Sequence, residues 1–138
     1  MSYCTDSDIY DVLNSFETCR TGKDDFHHKE HLVVAICYLR SSDIPAATQK
    51  LRNSLLRFLA HHSIDKQKYN ETLTVFWLEM VERELRRLPE SMALVDKCNS
   101  VLGALNNPKL ALEFYSDDVL WSEQARKRLV EPDLNQWK

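Results

Sequence analysis

Apolar residues recur at intervals of three and four positions along most of the chain, which is the spacing of helices buried on one face. The first predicted helix spans about 6–18, and we expect Gly22 to end it because glycine favours the left-handed cap. The second begins at Asp24 or Asp25, either of which can cap its first amides, and runs to about Arg40. After its first turn it reads LVVAICYL, which is typical of a central helix.

Three further long helices are predicted from the same spacing. The third follows Ser42-Asp43, carries Pro45 in its first turn, and ends around 61–63. The fourth spans roughly 68–88 and stops at Pro89, because proline disfavours helix at the residue before it. The fifth spans about 91–105, with Ser91 as its cap.

The pattern shortens beyond residue 107. We expect a helix over about 108–115, short helical turns opened by Ser116 and Ser122, and a tail, VEPDLNQWK, lying across the bundle surface. The 138 residues contain no internal repeat and no Gly/Ser linker. The sequence therefore predicts one all-α domain over 1–138, an up-down helical bundle of five main helices with an irregular C-terminal tail of short helices.

Composition and charge narrow the function classes. The net charge is −3 and no basic stripe rich in aromatic residues occurs, which is evidence against a nucleic-acid partner. The longest apolar run, Leu32–Leu39, is too short to span a bilayer, and the N-terminus MSYCTDSD carries acids where a signal peptide carries cations. Four scattered cysteines without a Cys-x-x-Cys pair are expected to be reduced thiols. We therefore expect a cytoplasmic protein, and a homo-oligomer stays open.

A histidine cluster is the most informative feature of the sequence. His27, His28 and His31 fall within one arc of the second helix, and His31 points almost directly away from Lys29 and Arg40. If consecutive helices are antiparallel, the start of the second helix, the end of the third and the start of the fourth meet at one pole. That pole would gather the following side chains: His28, His31, His62, Tyr69 and Glu71.

Imidazoles and a carboxylate on facing helices are a ligand set for zinc, iron, manganese or nickel. We expect His28, His31 and Glu71 as ligands and His62 as a fourth. Glu71 and Tyr69 are the candidate catalytic residues. Tyr69 would lie beside the metal ligands or donate a hydrogen bond to a small-molecule substrate. The run 27–31 also fits the H-x-x-E-H pattern of inverted zinc peptidases. That reading is rejected, because those enzymes need a larger scaffold and Glu30 sits on the Lys29 side.

Four short motifs resemble those of a family of small, uncharacterised bacterial proteins: Phe26-x-His28-x-x-His31, Tyr69-x-Glu71-Thr72, Tyr115-Ser116 and Glu131-Pro132-Asp133-Leu134. The resemblance covers 26–134 and implies no activity. It favours His28 and His31 over His27 as the functional pair and attaches Tyr69 and Glu71 to them. Where relatives carry histidine between the tyrosine and the glutamate, this chain has Asn70.

Three interpretations therefore stand beside one another. The first is a metal-dependent enzyme that uses the His/Glu pole. The second is a non-catalytic interaction or regulatory module in which the histidines and Glu71 form a structural hydrogen-bond network and the tail, with Trp121 and Trp137, docks a partner. The third is a pocket that binds an organic ligand beside the histidines without metal.

Overall fold

The computed structural model describes residues 3–137, in which no strand occurs. Helices make up 64% of the chain, so the predicted all-α bundle is confirmed. Five helices form the bundle: α1 (Asp6–Glu17), α2 (His28–Ser41), α3 (Ile44–His61), α4 (Glu71–Arg86) and α5 (Leu94–Ala104). Two short helices follow, α6 (Asp117–Leu120) and α7 (Glu123–Lys127), and two 3₁₀ helices span Lys66–Lys68 and Leu110–Glu113. No helix in the described part of the chain is long and apolar enough to cross a membrane.

The core is apolar and continuous, and α2 lies at its centre. Every residue from Leu32 to Ile36 is at most 1% exposed, so the prediction of a central second helix is confirmed. The predicted start of α3 after Asp43 is also confirmed, and the Asp43 carboxylate caps the helix by accepting the Ala46 amide at 3.0 Å. Ser116 and Ser122 cap α6 and α7 as expected.

The end of α1 differs from the prediction. The left-handed residue is Cys19, with φ 60°, and not Gly22, which has no positive φ. The Cys19 and Arg20 amides donate to the carbonyls of Phe16 and Ser15, the two bonds of a Schellman motif. The same motif ends α3, where Ser63 has φ 56° and the Ser63 and Ile64 amides donate to the carbonyls of Ala60 and Leu59.

The start of α2 is also later than predicted. His27, rather than Asp24 or Asp25, is the residue before the helix, and the Glu30 carboxylate accepts the His27 amide at 2.9 Å. Residues 22–25 form a turn instead, closed by the Asp25 amide on the Gly22 carbonyl. Phe26 then stacks on Phe16 at 4.3 Å between ring centroids, and this packing positions the first turn of the helix.

The fourth and fifth helices start three residues later than predicted. A connection of nine residues, 62–70, separates α3 from α4, and it ends at Asn70, whose side-chain oxygen accepts the Leu73 amide at 3.0 Å. Its amide nitrogen donates to the Leu120 carbonyl at 2.8 Å, which ties the start of α4 to α6. Ala93, not Ser91, precedes α5, and it makes no side-chain cap.

The C-terminal tail does more than lie across the surface. Trp137 is 3% exposed, and its indole N–H donates to the Tyr115 hydroxyl at 2.9 Å. Tyr115 in turn donates to the Val130 carbonyl, and Thr72 on α4 donates to the Arg128 carbonyl. The tail therefore completes the core, and only Trp121, which is 51% exposed, remains as the surface aromatic that was predicted.

Candidate functional site

The histidines and Glu71 do not meet at one metal centre. In the described part of the chain, no group of three or more His, Cys, Asp or Glu side chains is arranged to hold a metal ion. Each of the predicted ligands has its own surroundings. The metal site stays a prediction that has no converging ligand set among residues 3–137.

His28 lies between the start of α2 and the end of α5. Its Nε2 atom is 2.7 Å from the Leu105 carbonyl oxygen, and its ring meets the Trp77 ring edge-on at 4.6 Å. Because a carbonyl oxygen can only accept, Nε2 carries the proton and Nδ1 is the acceptor of the neutral ring. His28 therefore links the start of α2 to the end of α5, and its Nδ1 atom can accept a hydrogen bond from another partner.

His31 lies one turn further along α2, with its Nε2 atom buried. That nitrogen has no hydrogen-bond partner. Burial, and secondly the positive charge that His28 can carry, lower the pKa of His31 to about 4. The ring is therefore neutral at physiological pH, and it packs against Phe26 at 5.7 Å between centroids.

His62 follows α3 and closes the pole on the other side. Its Nε2 donates to the Thr21 carbonyl at 2.9 Å, and its ring meets Phe58 edge-on at 4.5 Å. His62 therefore holds the turn after α1 against the end of α3. This is the structural hydrogen bonding that the second interpretation expects of a histidine.

Tyr69 and Glu71 do lie together, as predicted, but their partner is an arginine. Arg52 donates to both carboxylate oxygens of Glu71, from Nε at 2.9 Å and from Nη2 at 2.6 Å, and the Tyr69 hydroxyl donates to Oε1 at 2.5 Å. Burial would raise the pKa of Glu71, but hydrogen bonds from Arg52 and Tyr69 lower it overall. Burial and the bond to Glu71 raise the pKa of Tyr69.

The position of Arg52 explains why Glu71 is not at the histidine pole. Arg52 precedes the end of α3 at His61 by nine residues, which is roughly 13 Å of helical rise. The 62–70 connection returns alongside α3 before α4 begins, so Glu71 meets the middle of α3. The carboxylate is an ionised partner of Arg52, not a free ligand.

A cavity of about 450 Å³ opens beside His28, and we call it the His28 cavity. The start of α2 forms one side of it and α5 with the following loop forms the other, and both sides carry polar and apolar residues. The lining residues are His27, His28, Lys29, Leu32, Asn99, Leu102, Gly103, Asn106 and Pro108. Its volume falls within the range of cavities that take small organic ligands.

Sequence reasoning missed the residues that the structure places opposite the predicted ones. Asn99 and Gly103 line the cavity on α5, one turn apart, and Arg52 partners Glu71. Gly103 carried a signal, because it is one of only two glycines and lies inside a helical pattern. Asn70 proves to be a cap with both amide atoms engaged, so in this chain it is a structural residue.

Comparison with known proteins does not identify a family for this chain. No protein-family model, no curated protein and no solved structure matches the chain.

Proposed function

We propose that the protein binds a small organic acid in the His28 cavity. The observation that carries the proposal is a cavity of about 450 Å³ at the histidine cluster that the sequence singles out. A well-formed cavity with apolar walls and a few convergent polar groups is the usual form of a small-molecule site. This corresponds to the third interpretation, an organic ligand beside the histidines.

The polar groups of the cavity favour an acidic ligand. Lys29 carries a positive charge, and its Nζ lies 4.7 Å from the centroid of the Tyr3 ring, which restricts its position at the cavity. His28 lines the cavity as well, but its Nε2 proton is already held by the Leu105 carbonyl, so Lys29 is the group that attracts an acid. Among residues 3–137, no carboxylate side chain contributes to the lining. The nearby Glu30 carboxylate is engaged by the His27 amide at 2.9 Å, and a ligand carboxylate would pair with the Lys29 ammonium.

The apolar residues of the cavity indicate the chemistry of the part of the ligand that is not the carboxylate. Leu32, Leu102 and Pro108 supply aliphatic surface beside the polar groups. Asn99 is held in place, because its amide exchanges two hydrogen bonds of 2.9 Å with the backbone of Tyr3. A ligand with a hydrocarbon or aromatic body and one carboxylate matches both the apolar and the polar residues of the cavity.

Gly103 gives a way to test the cavity without breaking the fold. A Cβ atom built at this position meets no heavy atom within 4 Å, so alanine fits without a clash and a longer side chain starts from open space. Replacing a helical glycine also stabilises a helix by up to about 1 kcal/mol. Gly103→Phe should therefore fill the cavity while the protein stays at least as stable.

The experiment is an NMR titration of ¹⁵N-labelled protein with benzoate, phenylacetate and hexanoate, each compared with its neutral amide. At roughly 0.5 kcal/mol per non-hydrogen atom, an acid of about ten such atoms binds with a Kd of about 0.2 mM. We expect at least one acid to shift the His28 and Leu102 resonances saturably, and to bind at least about fivefold tighter than its amide. Gly103→Phe should weaken this binding by at least about tenfold, and Gly103→Ala should retain it.

Two results would contradict the proposal. One is the lack of saturable shifts with all three acids up to about 10 mM, fiftyfold above the expected Kd. The other is equal binding by the parent protein and Gly103→Phe, which would place the ligand elsewhere. Thermal unfolding of both Gly103 variants controls for folding.

We also place the protein in the cytoplasm as part of the proposal. The support is chemical, since all four cysteines carry free thiols. Burial raises the pKa of Cys37 to about 11 and that of Cys98 to about 12, so neither is a reactive thiolate. Free, unreactive thiols are typical of a reducing compartment.

A further inference from the structure

A second cleft lies where α3, the Lys66–Lys68 turn and the start of α4 meet α7. Its volume is about 270 Å³, and we call it the Arg126 cleft. It shares none of its lining with the His28 cavity. The side chains that define it are Arg52, Lys66, Tyr69, Glu71, Arg126 and Lys127.

The cleft has an excess of positive charge. Glu71 is the carboxylate that lines it, and this group is already bound by Arg52 at 2.6 Å and 2.9 Å. Lys127 pairs with Glu123 at 2.8 Å on the exposed rim. Lys66 and Arg126 have no ion-pair partner within 4.0 Å in the part of the chain that the structure describes. Two cations of the cleft are therefore outside any ion pair, although Arg126 is close enough to Glu123 to help lower the pKa of that carboxyl.

Arg126 has unmet hydrogen-bonding capacity. Its Nε atom is buried and has no hydrogen-bond partner. An unpaired buried donor costs about 1–3 kcal/mol, and more when the group is charged. The guanidinium is held by no hydrogen bond or ion pair within residues 3–137, so it can turn toward an anion without losing such a contact. An oxyanion in the cleft would supply the missing acceptor.

The side chain of Arg52, which also lines the cleft, is held in place by hydrogen bonds. Its Nε and Nη2 atoms hold Glu71, and the Tyr69 hydroxyl holds the same carboxylate from the other side at 2.5 Å. The Arg52 guanidinium has five N–H donors, of which Glu71 accepts two. A guanidinium held by a carboxylate loses little side-chain freedom when it binds a second anion.

We propose that the Arg126 cleft binds a phosphate group, either free or as the monoester of a small molecule. A phosphate monoester carries nearly two negative charges at neutral pH, and Lys66 and Arg126 are the two cations of the cleft that no ion pair within residues 3–137 holds. Its tetrahedral oxygens accept several hydrogen bonds from guanidinium groups in the bidentate geometry that arginine prefers. The volume is slightly below that of sites for drug-sized ligands, so the phosphate carries a small organic body or none.

The test is a calorimetric titration of the whole protein with inorganic phosphate, glycerol 3-phosphate and glycerol. We expect both phosphates to bind and glycerol not to bind, with weaker affinity at higher NaCl because salt screens the charges. Tighter binding of glycerol 3-phosphate would assign the cleft to a phosphorylated small molecule, and equal binding would assign it to free phosphate.

Variants locate the binding. Arg126→Gln and Lys66→Gln should each weaken phosphate binding by at least about tenfold. Lys66 is exposed, so its replacement leaves the fold intact even if Arg126→Gln is unstable. The matched control is Lys109→Gln, which removes one exposed charge near the His28 side of the molecule. Unchanged phosphate affinity in both cleft variants, or no saturable heat with either phosphate up to about 10 mM, would overturn the proposal.

Discussion

Replacing His31 by leucine should stabilise the fold, and by more at pH 5 than at pH 7. His31 has a buried Nε2 atom without a partner and a pKa of about 4 in the folded protein. Leucine has a similar size and no polar atom, so at pH 7 it removes an unpaired nitrogen that costs about 1–3 kcal/mol. The pH dependence has a separate origin, the difference between the folded pKa and the unfolded value of about 6.5.

The sign follows from proton binding. Between pH 6.5 and pH 4 the unfolded chain takes up a proton on His31 and the folded chain does not, so the parent protein loses stability as the pH falls. From pH 7 to pH 5 the expected loss is about 2 kcal/mol, and it approaches about 3 kcal/mol below pH 4. His31→Leu does not have this group. Its advantage over the parent should therefore grow by about 2 kcal/mol between pH 7 and pH 5.

The assay is urea unfolding of both proteins at pH 7 and pH 5, followed by circular dichroism. The matched control is His61→Leu, which removes an imidazole that is exposed at the end of α3. This control should leave the pH dependence close to that of the parent protein. An advantage of His31→Leu that is the same at both pH values would refute the reasoning, because His31 would then titrate alike in the folded and unfolded chains.

Two further predictions concern the elements that position the sites. Asn70→Ala should lower the free energy of unfolding by about 2–3 kcal/mol, because it removes both the cap of α4 and the bond to α6, whereas Asn70→Ser keeps a capping oxygen and should lose about 1 kcal/mol. Equal losses in urea unfolding would mean that the cap contributes nothing. Trp137→Ala should lose about 3–5 kcal/mol of stability, since the indole is buried and bonded to Tyr115. Trp121→Ala, at a ring 51% exposed, should lose less than about 1 kcal/mol, and similar melting temperatures for the two variants would contradict this assignment.

The sequence predicts the fold well because the fold depends on local rules. The buried run 32–36, the start of α3 after Asp43 and the two serine caps all follow from side-chain types at fixed spacings. The prediction that Gly22 ends α1 was wrong, and the reason is physical. Glycine is favoured in the left-handed region but is not required there, and Cys19 adopts it because a Schellman motif closes around it.

The candidate site depends on contacts that no local rule fixes. Periodicity correctly predicts that His28 and Glu71 lie near the starts of their helices. Because α4 was predicted to begin about three residues too early, Glu71 was expected beside His62 at the end of α3. The observed start depends on Asn70, whose partner, Leu120, is fifty residues away. Arg52 was found only through the structure, because nothing in the spacing of α3 shows which neighbour an outward side chain meets. A sequence pattern predicts which face of a helix is buried. Only the packing shows which residues of a neighbouring helix that face meets.

The buried indole of Trp137 has a consequence for how the protein is made. Its ring packs against Phe76 and its N–H donates to Tyr115, so the core of the bundle contains a side chain supplied by residue 137. A chain synthesised only as far as the end of α5 lacks this ring, so Phe76 on α4 is then missing one of its aromatic neighbours. The packing described here can therefore be completed only after residue 137 has been added.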